Sequence, residues 1–411
     1  MTGSATIETR VCVVGGGPAG VVLGYLLARA GYAVTVLEKH GDFLRDFRGD
    51  TVHPSTMTVL DELGLLDDFL KRPHSEIVHL EGKVGADTVE LGDFSHVPAK
   101  TKFLAIMPQW DFLNFLAEKA RAYRGFTLLM NTAATGVLNE RGRVIGIRAT
   151  GPSGEMDVHA DVVVACDGRT STLRSAAGIV PRDLGAPMDV LWMSLPKRSG
   201  DRNAALGFVG AGAVFVMIDR EEYWQCGYVI AKGTADEVRA RGLDAFRAEI
   251  AAIAPVIADR VDHIKSWDDV KLLTVTVDRL DRWFLPGLLF IGDAAHAMSP
   301  IGGVGINLAI QDAVATANIL GAALQTPGSV GNDALAAVQR RRTFPTVMTQ
   351  GLQVLIQHLI VTRVLRSKAP PKHAPLIMRV LTSIPGFRFI PAYLVGIGFR
   401  PENVSRRVRG F

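Results

Sequence analysis

The chain has 411 residues, 48% of them hydrophobic and 21% charged, with a formal net charge of +4. Wholesale disorder is excluded, and the length exceeds one ordinary core at roughly 100–200 residues per domain. Three cysteines, Cys12, Cys166 and Cys226, are too few and too scattered for a disulfide framework or a zinc cluster. Met1 to Arg10 hold no apolar signal core, and no run of about 18 apolar residues occurs, so a reducing cytoplasm is the expected address. The charge is uneven: residues 339–411 carry thirteen Lys and Arg against one acid, Glu402, while the rest is net acidic. The tail's charges are interleaved with Leu, Ile, Val and Phe. That predicts a basic face packed on the acidic body, with peripheral membrane contact as the alternative and no nucleic-acid partner.

A short β-rich run, 10–14, leads into Gly15-Gly16-Gly17-Pro18-Ala19-Gly20 and a helical stretch to about residue 30, stopped by Gly31. A second β run, 33–37, ends at Glu38 and Lys39. This is a β-α-β unit, which implies parallel strands and a right-handed crossover. Apolar spacings near 3 and 4 predict helices over 53–70 and 111–123. Short strands are expected at 77–80 and 88–91. Residues 144–150 and 156–159 flank Gly151-Pro152-Ser153-Gly154, a hairpin signal, and the strand 161–166 reads as buried on both faces. From about residue 185 the texture changes: strands at 190–195, 205–209, 213–219 and 223–231 read as a meander. A helical segment near 235–253, a strand at 288–291 and a helix over 307–324 follow. Residues 326–333 read as a linker, and the remainder as helices broken by prolines.

Three motifs carry chemistry. In the first, Gly15 permits a tight turn, Gly17 lets the backbone approach a pyrophosphate, and Gly20 lets helix and strand pack closely. The helix N-terminus then offers free N–H groups to phosphates. Glu38, at the end of the second strand, stands where a carboxylate accepts ribose hydroxyls. A ligand-free glycine turn is the plainer alternative, but strand, helix and terminal acid follow here in the right order. The second motif is Asp167-Gly168-Arg169-Thr170-Ser171-Thr172-Leu173-Arg174. The third runs from Gly292-Asp293-Ala294-Ala295-His296 through Pro300 to Gly302-Gly303-Val304-Gly305-Ile306-Asn307. Asp293 is placed at a strand C-terminus, where open α/β sheets bind ligands. The glycines ahead of the helix offer backbone N–H groups to an anionic ring edge or phosphate. His296 reads as a packing residue rather than a base.

In this order the motifs resemble the flavin aromatic hydroxylases, the single-component FAD-dependent monooxygenases of the p-hydroxybenzoate hydroxylase type, over roughly residues 8–325. The implied fold is α/β. A Rossmann-like FAD-binding domain (1–75, 101–184, 273–333) is interleaved with a β-sheet substrate domain (76–100, 185–272), and a C-terminal helical region (334–411) follows. The resemblance implies that Gly15, Gly17, Pro18, Ala19, Gly20, Glu38 and Lys39 hold the ADP half of FAD. Gly292 and Asp293 would take the ribityl or pyrophosphate portion. Pro300, Gly303, Gly305, Ile306 and Asn307 would lie beside the isoalloxazine ring. Asp167 is associated in that family with FAD and nicotinamide binding. Arg48 matches an arginine near the flavin, and Gln109 a glutamine on the ribityl chain. Arg48 and Pro300 are the candidates nearest the reacting ring; no further catalytic residue is identified.

Only one strand-to-helix glycine fingerprint occurs, so NAD(P)H would bind transiently as electron donor. Absent are a Cys-x-x-Cys pair, a Trp-x-Trp-x-Ile-Pro halogenase signature, metal-ligand spacing, a P-loop and a nucleophile elbow. The apolar content of 188–231, with Phe215, Tyr223 and Gln225 as pocket candidates, suits an aromatic or apolar small molecule. The implied activity uses NAD(P)H and O2 to hydroxylate or epoxidise that molecule through a flavin hydroperoxide. Two rivals stand beside it: an FAD-dependent reductase of the geranylgeranyl reductase type, and a flavin-binding carrier without turnover.

Overall fold

The computed structural model describes residues 5–44, 51–201, 205–326, 328, 330–384 and 386–410. Strand β1 (Ala5–Val14) ends in Val11-Cys12-Val13-Val14, all buried, as suits a strand covered on both faces. After it come α1 (Pro18–Arg29), β2 (Val34–Leu37), α2 (Pro54–Glu62), α3 (Gln109–Ala120), β3 (Phe126–Leu129) and β4 (Gly154–Ala165). Next are β5 (Met188–Pro196), β6 (Ala205–Val209), β7 (Val214–Asp219), β8 (Tyr223–Ala231) and α4 (Leu243–Ile253). Strand β9 (Leu288–Phe290), α5 (Val304–Ala323), α6 (Asn332–Ile356), α7 (Leu376–Ser383) and α8 (Phe389–Gly396) complete the labelled elements.

The first sheet runs in the order β3-β2-β1-β4-β9, with all four neighbouring pairs parallel. The hairpin predicted around Gly151 is present: Arg143–Gly151 pairs antiparallel with the first half of β4. Helix α1 is apolar nearly all round because it lies between this sheet and α5, and Val21, Leu23, Leu26 and Leu27 are fully buried there. The helix expected over 53–70 is two helices, α2 and Leu66–Leu70. Between them Gly64 takes a φ of +72°, which ends the first helix.

In the second sheet β6, β7 and β8 form the expected antiparallel meander, but β5 does not precede β6 in it. Strand β5 pairs with β8, and β6 lies parallel to His79–Val84, giving the order β5-β8-β7-β6 followed by His79–Val84 and Asp87–Asp93. The cause is non-local. Strands β5 and β8 are buried along nearly their whole length, so they pair with each other in the part of the sheet that is covered on both faces. Side chains alternate across this sheet. Leu191, Met193, Phe215, Met217 and Tyr228 pack on α4 through Phe246 and Ile250. Val190, Trp192, Val214, Val216 and Val229 pack on the other face, against Val275 and Ile301.

The tail is helical, but Pro345 sits inside α6 without breaking it. Its basic residues are partly spent on the acids of the body: Arg388 pairs with Glu90, and Arg409 with Glu62 at 2.7 Å. Among the described residues, no helix is long and apolar enough to cross a membrane.

Candidate active site

The glycine loop leaves β1 and enters α1. Gly15 has a φ of +106°, and a Cβ there would overlap the Cys166 carbonyl. A Cβ on Gly20 would overlap the Gly15 carbonyl, so helix and loop are in direct backbone contact. Gly17, the N-cap of α1, has no heavy atom within 4 Å of its Cβ position. The loop is therefore closed on two sides and open at the helix N-terminus, where an anion is favoured. Pro18 occupies the first helical position, where its missing N–H costs nothing. Ala19 faces Gly292, so the first and third motifs touch. Glu38 is buried at the end of β2; Gly16 N–H donates to its Oε2 and His40 N–H to its Oε1, both at 3.0 Å. Lys39 is exposed.

The second motif holds the third. Arg169 Nε donates to Asp293 Oδ2 at 3.0 Å, and its Nη2 to the Met298 carbonyl at 3.2 Å. Buried Arg174 donates to the carbonyls of Ala294, at 3.1 Å, and of Arg169. Asp167 ends β4. Its Oδ2 accepts from Leu173 N–H at 3.1 Å, and its Oδ1 is buried with no partner among the described residues. Burial pushes the Asp167 carboxyl above the usual range, partly offset by Ser171 and nearby backbone N–H groups.

Helix α5 starts beside this loop. Gly303 is its N-cap, with a φ of +63°, and a Cβ there would overlap Thr51 Oγ1. Asn307 closes the first turn of α5. Its Oδ1 accepts from His53 N–H at 2.9 Å and Thr56 Oγ1 at 2.8 Å, and its Nδ2 donates to the carbonyls of Thr51 and Gly303. The side-chain amide is thus spent on the protein and braces α5 to α2. The groups left to face a ligand are the backbone N–H groups of the first turn, at Val304, Gly305 and Ile306. Pro300 caps the turn Ile301–Gly303. Gln109 opens α3, three residues beyond Ile106, which pairs with Thr51. Arg48 lies outside the described residues.

Residues without a sequence motif support these loops. His296 Nε2 lies 2.6 Å from Asp312 Oδ2, which also accepts from Gly292 N–H at 3.0 Å. Asp312 Oδ1 accepts from Arg342 Nε at 2.8 Å, and Arg342 Nη1 donates to Glu402 Oε1 at 3.1 Å. Burial alone would raise the Asp312 pKa, but His296 and Arg342 outweigh it and hold the carboxylate below its usual range. His296 is therefore a buried packing partner, as expected, with the Trp283 ring 5.0 Å away. From outside, α6 grips the segment before α5: Gln353 Nε2 donates to the carbonyls of Ser299 and Ile301, and Gln350 Nε2 to that of Ala297. His53 is fully buried, with Nδ1 2.7 Å from the Val395 carbonyl in α8, and burial pulls its pKa down to about 4. The sequence trace of this support is a set of polar residues, Asn307, Gln311 and Asp312 among them, inside a largely apolar helix.

The pocket candidates divide between the two faces of the second sheet. Phe215 is fully buried in the cluster that packs on α4, on the face opposite the one that meets Ile301. Tyr223 and Gln225 alternate onto the face of Trp192; Gln225 Oε1 accepts from Arg220 Nε at 2.9 Å and Nη2 at 2.6 Å.

These features fit FAD: the open N-terminus of α1, the first-turn N–H groups of α5, and a buried Asp167 oxygen with no partner among the described residues. The sequence matches the FAD binding domain family over residues 8–350. It is 35% identical over 376 residues to 6-methylpretetramide 4-monooxygenase of Streptomyces rimosus, covering 90% of this chain and 89% of that protein. It is 26% identical to para-nitrophenol 4-monooxygenase of Pseudomonas sp. strain WBC-3, covering 81% and 83%. The solved structure of PqsL from Pseudomonas aeruginosa in complex with 2-aminobenzoylacetate is similar at a TM-score of 0.74 and 25% identity, covering 87% of this chain and 97% of that one. The three joined loops, the second sheet beside them and these likenesses agree: the chain belongs to the FAD binding domain family, among the flavin aromatic hydroxylases, and is an FAD-dependent monooxygenase.

Proposed function

We propose that this enzyme oxygenates a flat aromatic or otherwise apolar small molecule lying between the Trp192 face of the second sheet and the start of α5. The observation that carries the reading is the apolar cluster in which Trp192, Val190, Val216 and Val229 meet Ile301, one residue after Pro300. Relatives named for the oxygenation of 6-methylpretetramide and para-nitrophenol support the substrate class. Bound FAD supplies the redox chemistry that activates O2, with NAD(P)H as a transient electron donor. The chain's own residues bind and orient. The α1 N-terminus at Gly17 takes the pyrophosphate, and Glu38 the ribose hydroxyls. Asp293, fixed by Arg169, takes the sugar-like chain together with Gln109. The first-turn N–H groups of α5 face negative charge on the ring. The apolar face keeps water from the reacting atoms. Gln225, fixed by Arg220, is the polar group on that face that orients the substrate.

The reductase reading carries less weight, because the relative at 35% identity is an oxygenase. Purified holoenzyme is to be screened with NADH and NADPH against aromatic compounds under labelled O2. Expected is substrate-accelerated nicotinamide oxidation with one labelled oxygen atom in the product. A product formed without air, with a carbon–carbon double bond reduced, decides for the reductase. Flavin-loaded protein without turnover on any donor decides for the carrier.

A further inference from the structure

Helix α6 buries Leu335 and Val338 in its first turns, but from Arg342 to Gln357 it is built largely inside out. The side turned to the protein is polar: Arg342, Thr346, Gln350, Gln353 and Gln357 are buried. The opposite side is apolar and open: Phe344, Val347, Met348, Leu355, Leu359 and Ile360 are exposed, with Leu355 at 52%. Phe344, Met348, Leu355 and Leu359 fall within about 60° of one another around the helix, and Gln350 and Gln353 fall opposite. A surface helix of a soluble protein has the reverse pattern. Apart from His358, every exposed position from 344 to 360 is apolar or glycine. The row is roughly 24 Å long at 1.5 Å per residue, well beyond scattered single apolar residues.

The charges that bracket this row have one sign. Arg340 precedes it, and Arg363, Arg366 and Lys368 follow, all exposed. No acid occurs between Asp333 and Glu402, and Glu402 is buried against Arg341 and Arg342. We propose that this face lies on an anionic lipid surface. The apolar row enters the boundary between headgroups and acyl chains, and the four bracketing cations meet lipid phosphates. A second copy of the chain is the poorer occupant. Two-fold pairing of the row in either direction sets cation against cation, with no acid on either side to relieve it. The polar side of the helix keeps its grip on Ala297–Ile301 throughout, so the lipid contact leaves the flavin site intact.

The test is flotation of the full holoenzyme with vesicles of phosphatidylcholine alone and of phosphatidylcholine mixed with phosphatidylserine, at low and high salt. Expected is flotation with the anionic vesicles only, strongly reduced by salt. The double variant Leu355→Glu and Leu359→Glu should lose it while keeping FAD content and melting temperature. Should that variant fail to fold, Arg363→Gln with Arg366→Gln should still weaken vesicle affinity about thirtyfold, at about 1 kcal/mol per basic residue. No flotation with anionic vesicles overturns the proposal, as does flotation that both double variants retain. A dimer in sedimentation velocity that the leucine variant dissolves, without vesicle binding, also overturns it and assigns the face to a second copy.

Discussion

In the parallel sheet, Gly15 and Gly20 have no freedom: each would strike a backbone carbonyl if it carried a side chain. In the second sheet, Phe215 is buried among apolar side chains and Gln225 is buried against Arg220, on opposite faces of the sheet. The first kind of constraint is local and selects a residue type. The second is set by what packs above and below, and many residue types satisfy it. In the proposed function, cofactor binding rests on the first kind and substrate choice on the second. Changes in the glycine loop should therefore act all or none, while changes in the second sheet should be graded and should separate stability from specificity.

The largest effect is expected at Gly17. Its side-chain position is empty, so Gly17→Asp should fold, yet the new carboxylate stands where a pyrophosphate must come. Purified variant should be colourless and release no FAD; a yellow, folded variant breaks the loop assignment. Next is a pair in the second sheet. Phe215→Ala should cost about 3–5 kcal/mol by urea denaturation and leave the substrate KM nearly unchanged. Trp192→Ala should raise KM while FAD affinity stays put. If Phe215→Ala moved KM instead, the two faces would have been assigned the wrong way round.

His53 sits at the seam where α2 meets the tail helix α8. Its folded pKa of about 4 lies below the ordinary histidine value of 6.5. The fold therefore holds it neutral, and the unfolded chain takes up the proton first. Its contribution is complete above about pH 6.5 and is lost as pH falls towards 4, by up to about 3 kcal/mol. His53→Gln should flatten that loss, read as melting temperature against pH; an unchanged profile would sink the role. The smallest effect is expected at Asp293. Asp293→Ala removes a charged acceptor worth about 1.5–3 kcal/mol, so FAD affinity should fall roughly 10–150-fold by titration.

The same contrast explains what could be read before the structure. The β-α-β unit, the hairpin at Gly151 and the three loops are marked by glycines, prolines and runs of valine whose meaning lies within a few residues. The pairing of β5 with β8 joins positions about thirty residues apart, and nothing in either strand names its partner. Alternation also gives the second sheet two faces without saying which one meets Ile301, so nothing near Phe215 in the chain shows that it falls on the α4 side. Asn307 stands in the first turn of α5, and its amide is consumed by Thr51, His53 and Thr56, partners some 250 residues away. Asp312, Arg342 and Glu402 were missed for the same reason: a charge buried by remote partners looks, in a linear chain, like a charge on a surface.

The Asp312–Arg342–Glu402 chain also has a history in time. Glu402 is translated sixty residues after Arg342. At 5–20 residues per second, the ribosome adds it about 3–12 s later. Throughout that interval the glycine loop, Glu38 and the Gly292–Asp293 loop already exist, but Arg342 lacks its second carboxylate and the brace behind Gly292 is incomplete. Nascent chains would then capture flavin poorly until the tail arrives, and premature termination inside those sixty residues would yield colourless protein even though every residue of the glycine fingerprint had been made.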